Sequence, residues 1–155
     1  MANSFSGTAR SERHFTALLL PHLLMSNNFA GARALFRRLD LDSGQAPDSS
    51  DIEIVAELNP IRDVVGRVTD GNTADSEKQS QVVPDLFIRI GGSALVIEAK
   101  FFTHPSGSYV AAQLCSQREA IEAVRPQHSE YARCSFHYLA LTVLPLDDVA
   151  EWPND

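Results

Sequence analysis

Residues 82–102 read VVPDLFIRIGGSALVIEAKFF. Two apolar runs flank Gly91-Gly92, a dipeptide suited to a two-residue hairpin loop because glycine enters the left-handed region without steric cost. The pattern predicts one strand over residues 82–90 and a second over residues 93–102. The second is apolar on both faces until Glu98, as in a central strand covered on both sides. A Gly91-Gly92 loop sets Ile90 opposite Ser93, and the same register carries Asp85 opposite Glu98. A four-residue loop closing Arg89 on Ala94 gives the same pairing, whereas an odd loop sends the two carboxylates to opposite faces. In the even register their Cβ atoms lie roughly 4.5–5.5 Å apart. Lys100, two residues beyond Glu98, shares that face.

Two like charges directly opposed in a sheet are destabilising, and one of them would otherwise take up a proton. A hard divalent cation removes the conflict, and oxygen ligands suit magnesium. Magnesium keeps several waters, one of which becomes a nucleophile of lowered pKa. An ammonium beside it can orient that water or neutralise charge developing on a phosphate. Asp85, Glu98 and Lys100 on one patch therefore fit metal-assisted attack on a phosphodiester. The plainer alternative makes Asp85 a strand-entry residue after Pro84 and Glu98–Lys100 an intrastrand ion pair with a snorkelling lysine.

Around the hairpin the chain alternates helical and strand patterns. Apolar residues at Phe15, Leu18, Leu19 and Leu23 predict a helix over residues 9–24, with Ser11 as its cap and Pro21 kinking or restarting it. Asn27 caps a second helix to Arg38, with Phe29, Ala32, Leu35, Phe36 and Leu39 inward and Arg33, Arg37 and Arg38 outward. Residues 52–58 alternate as a half-exposed strand, with Ile52, Ile54, Ala56 and Leu58 on one face and the Glu53/Glu57 face solvated. Residues 61–68 extend it or form a short strand, and residues 69–81 read as a mobile polar loop. After the hairpin, residues 108–124 form a helix with Val110, Leu114, Ile121 and Val124 inward, stopped by Pro126. Residues 134–144 form a last buried strand, followed by an acidic tail over residues 145–155. With residues 1–8 as a loose lead-in, the whole of residues 1–155 is one α/β domain of order α(α)βββαβ.

Pro84-Asp85 followed by Glu98-Ala99-Lys100 after an apolar strand resembles the PD-(D/E)XK, or restriction-endonuclease-like, nuclease superfamily. That resemblance implies an αβββαβ core with a central mixed sheet flanked by helices, and magnesium-dependent cleavage of DNA, with manganese able to substitute. It makes Asp85 and Glu98 metal ligands, gives the Ala99 carbonyl a place at the metal, and makes Lys100 the catalytic lysine. Many members carry a further acid on the first helix, and Glu12 stands in that place, where a first-turn glutamate is equally favoured by the helix dipole. One branch carries glutamine and, four residues later, tyrosine on the helix after the lysine. Gln113 fits that glutamine as a substrate contact, and Gln117 departs from the tyrosine. His104, just past the strand, is a weaker candidate for touching substrate.

Composition narrows the remaining choices. Hydrophobic residues make up 44% of 155 residues, enough for a buried core without staples. Cys115 and Cys134 form no CxxC pair, so neither a zinc site nor a disulfide framework is expected, and a cytoplasmic setting fits. No stretch reads as a membrane span or signal peptide. His14, His22, His128 and His137 have no ligand spacing with one another. The net charge of −7 is uneven: residues 1–40 hold five arginines and two acids, whereas residues 41–85 hold three bases and ten acids. A field that would hold nucleic acid non-specifically is therefore absent. Two other functions remain: a silent nuclease fold kept for binding or assembly, and an acidic domain that binds a more basic protein. A homo-oligomer is also open. Intact Asp85, Glu98 and Lys100 argue against the first, and divalent-metal binding separates the second from a nuclease.

Overall fold

The computed structural model describes residues 15–41, 51–58, 83–101, 105–143 and Leu146. A π-helical turn, Phe15–Leu19, leads into α1, Leu20–Arg38. Then follow strands β1, Ile52–Ala56, β2, Leu86–Ile90, and β3, Ser93–Lys100. Helix α2, Gly107–Val124, a 3-10 turn, Arg125–Gln127, and the four-residue α3, Ser129–Ala132, lead to β4, Ser135–Thr142. The four strands form one mixed sheet in the order β1-β2-β3-β4. β1 and β3 run antiparallel to β2, and β4 runs parallel to β3. A parallel neighbour requires a crossover, which α2 supplies.

The hairpin register is the expected one: Ile90 pairs with Ser93 and Leu86 with Ile97. Gly91 turns at φ 56, a conformation that costs a Cβ-bearing residue far more than glycine. β2 begins at Leu86, four residues later than the apolar run predicts, because the ladder stops where Pro84 offers no N–H.

Alternation sorts the side chains onto two faces. On one, Leu86, Ile88, Leu95 and Ile97 pack against Leu24, Ala32 and Phe36 of α1. On the other, Phe87, Ala94 and Val96 pack with Ile121 of α2, Leu58 and Cys134. β3 is buried from Ala94 to Ala99, as its apolar run predicts. β4 is half-buried rather than fully covered, and among the described residues it pairs with β3 alone, as an edge strand does.

Three local expectations are corrected. In the first helix Thr16 and Leu24 are buried, while Leu18, Leu19 and Leu23 are exposed. The inward positions are Thr16, Leu20 and Leu24, four residues apart, the first of them inside the π turn. Pro21 stands in the first turn of α1, where the helix restarts after the π turn, and the two expected helices part at a tight turn in which Ser26 is extended and Asn27, expected as the cap, is left-handed with Asn28 and Phe29, so α1 is two helical arms. The arms approach so closely that a Cβ on Gly31 would lie 2.6 Å from the Leu23 carbonyl oxygen. At the end of β1, Glu57 takes φ 54, and Leu58 swings away from Ile54 and Ala56 to join Val55 in the second cluster. Residues 61–68 and 69–81 lie outside the described residues.

The Glu53 face is not simply solvated. Glu53 sits opposite Arg89, whose Nε donates to its Oε2 at 3.2 Å. The Tyr131 hydroxyl donates to both Glu53 oxygens, at 3.0 and 3.1 Å. Burial, then the Glu53 carboxylate, raises the Tyr131 phenol above its ordinary 10.0. Burial likewise raises Tyr138 above 10.0. A raised folded-state value stabilises the fold fully below the unfolded value, and that stability is lost as pH climbs towards and through the folded one. The urea midpoint should therefore fall above about pH 10. Tyr131→Phe should flatten that fall and cost about 1 kcal/mol at neutral pH, where Glu53 loses a donor. Equal alkaline slopes for wild type and variant would contradict this.

Candidate metal centre

One further step of the observed register sets Asp85 opposite Glu98. Phe87 and Val96, their alternate neighbours, face α2, so the carboxylates belong to that face. Glu98 is 3% exposed, which is unusual for an acid on a sheet and requires partners. It has two. Lys100 Nζ forms an ion pair with Glu98 Oε1 at 2.5 Å. Gln117 Nε2, from α2, donates to Glu98 Oε2 at 2.7 Å. Asp85 Oδ2 accepts the Ala99 N–H at 2.8 Å. Asp85, Glu98, Ala99 and Lys100 thus meet where β2 begins and β3 ends, with α2 across them.

The Asp85 carboxylate replaces the ladder. Within an extended strand, the N–H and C=O of one residue point to the same side. Since the Ala99 N–H points to Asp85, the Ala99 carbonyl points to the Pro84 edge, where no N–H exists to meet it. Two carboxylates and this carbonyl are hard oxygen donors, the donor chemistry that suits magnesium. Among the described residues no group of three His, Cys, Asp or Glu side chains could hold a metal. A cation here would therefore rest on two carboxylates plus backbone and water. The Glu98–Lys100 ion pair is also the one that the plainer strand-end alternative expects.

Gln117 is the residue that pattern reading missed. It is completely buried, and its Oε1 has no hydrogen-bond partner. The signal was present: Val110, Leu114, Ile121 and Val124 leave position 117 on the same stripe, and all five are buried. Gln113, one turn nearer the helix start, is half-buried, and its Oε1 is also buried without a partner. Ser106 caps that start, accepting the Tyr109 N–H on its hydroxyl.

The other candidates do not gather here. Glu12 and His104 lie outside the described residues. Of the three arginines expected outward on α1, Arg37 and Arg38 are exposed and Arg33 is half-buried; the core side chains of α1 cover the opposite face of the sheet, so these arginines do not line this centre. His22 is exposed, and His128 and His137 are half-buried outside any metal-binding group. Cys115 and Cys134 are free thiols. No helix among the described residues is long and apolar enough to cross a membrane. Comparison with family models, curated proteins and solved structures gives no match to this chain.

Proposed function

We propose that the chain is a magnesium-dependent nuclease that hydrolyses phosphodiester bonds of DNA on a restriction-endonuclease-like core. The observation that carries this reading is the meeting of Asp85 and Glu98 across β2 and β3 with Lys100 on the Glu98 carboxylate. The order of strands and the crossover helix over the same face support it. In this reading Asp85, Glu98 and the Ala99 carbonyl would hold the ion, and the family resemblance adds Glu12 as a further ligand. When bound, the ion supplies Lewis acidity and a water acidic enough to attack at neutral pH. Lys100 meets negative charge as it grows on the phosphoryl group, and the burial of its partner strengthens that electrostatic effect. In this reading Gln113, on the same helix as Gln117, would be the substrate contact.

The chain's charge sets the binding behaviour. At a net −7 it repels a polyanion, so affinity comes from the bound cation, local arginines or a more basic companion chain. DNA binding by this chain alone should be weak and should fall steeply with salt. Fluorescence anisotropy of a labelled duplex from low to physiological salt, with calcium and with a chelator, tests this. Tight binding that ignores both salt and metal contradicts it. Magnesium binding without cleavage of double- or single-stranded DNA would instead assign a silent nuclease-fold subunit. Absence of divalent binding would leave the acidic protein-interaction reading.

A further inference from the structure

We propose that Gln117 is a positioning residue of the metal centre: its amide N–H fixes Glu98 Oε2, and its carbonyl oxygen accepts a hydrogen bond from a water carried by the cation. This rests on the magnesium-site reading above.

A fully buried glutamine that satisfies half of its amide is uncommon, because an unpaired buried carbonyl costs free energy. The orientation of the amide is fixed by its neighbour. Turned the other way, Gln117 Oε1 would face Glu98 Oε2, acceptor against acceptor; as it stands, Nε2 donates at 2.7 Å. The carbonyl oxygen belongs to the same planar amide and so lies within about 5 Å of the Glu98 carboxylate. What this position lacks is a donor. Hydrated magnesium brings donors, since it keeps several waters whose hydrogens point outward. The two partners of Glu98 therefore have different roles. Lys100 is a cation, which a divalent ion at Glu98 repels. Gln117 is neutral and keeps its bond when the ion arrives, because each carboxylate oxygen accepts more than one contact. A residue that orients a ligand from behind in this way typically changes metal affinity 10- to 100-fold when removed.

The test is a magnesium titration of the full chain followed by 1H–15N spectra, with wild type and Gln117→Met, a substitution that keeps bulk and removes both polar atoms. The Gln117 side-chain amide is assigned from its absence in that variant. In wild type its 15N resonance should move as magnesium is added, while the side-chain amide of exposed Gln127 stays fixed. Gln117→Met should bind magnesium at least about tenfold more weakly. If Gln117 were only a packing residue, the variant would lose thermal stability and keep its magnesium affinity, and that result overturns the proposal. An unmoved Gln117 resonance in saturated wild type also overturns it, and this measurement stands even if the variant fails to fold, with assignment then made through backbone correlations. Wild type that binds no magnesium removes both the nuclease reading and this one. Magnesium binding with the Gln117 response but no cleavage removes the nuclease reading and leaves Gln117 in place.

Discussion

Lys100→Ala should lower the turnover of DNA cleavage by roughly two orders of magnitude or more while leaving magnesium affinity equal or higher. The two effects have opposite signs because Lys100 acts on two charges. Its ammonium sits on Glu98 Oε1, in a position where a divalent ion competes for the same carboxylate. Removing it removes that competition, so affinity holds or rises. In the proposed chemistry the same ammonium would face the charge that grows on the phosphoryl group, and among the described residues the other side-chain partner of Glu98, Gln117, has no charge to replace it. Glu98 without Lys100 is a buried charge that has lost one of two partners, which lowers the stability of the metal-free protein. Magnesium should restore part of that loss, since binding to the native state stabilises it by mass action. Thermal unfolding with and without magnesium reads this directly: the gain should be larger in Lys100→Ala than in wild type. Lys78→Ala, which removes the other lysine of the chain, is the control.

Asp85→Ala should abolish cleavage, as should a chelator added to wild type, because the ion then loses half of its carboxylate support. This substitution has a second consequence. The Ala99 N–H donates to Asp85 Oδ2, so its loss leaves a buried backbone donor without that acceptor. The expected cost is about 1–3 kcal/mol, a measurable fall in thermal midpoint. Asp85→Asn separates the two roles, since its carbonyl oxygen can still accept from Ala99 while its charge is gone. It should recover most of the stability and none of the cleavage. Recovery of cleavage by Asp85→Asn would show that the carboxylate is structural only.

The central pairing was legible because a two-residue glycine loop leaves little freedom in register, and strand alternation then fixes faces two residues at a time. From Gly91-Gly92 alone, Asp85, Glu98 and Lys100 fall on one side, and the sheet pairs that way. Features governed by local backbone exceptions were not legible. The left-handed Glu57 reverses the face of Leu58, and in the helix that opens with the π turn at Phe15–Leu19 it is Thr16 and Leu24 that are buried while Leu18, Leu19 and Leu23 turn outward. Neither departure leaves a composition signal. Long-range polar partners were equally hidden: Tyr131 meets Glu53 across 78 residues, which no periodicity can foresee. Gln117 is an intermediate case. Its stripe position was readable, but a polar residue there reads as a departure until Glu98 is seen beneath it. The match of Asp85 with the Ala99 amide was likewise hidden, because it depends on the ladder stopping at Pro84.

The most direct measurement is nicking of supercoiled plasmid in magnesium by wild type and Lys100→Ala purified side by side, with linear and single-stranded DNA as parallel substrates and manganese as the alternative ion. The expected result is metal-dependent cleavage by wild type that drops by about two orders of magnitude or more in Lys100→Ala, while both proteins bind magnesium. Equal cleavage by the two proteins would contradict it, placing the chemistry elsewhere or in a contaminant.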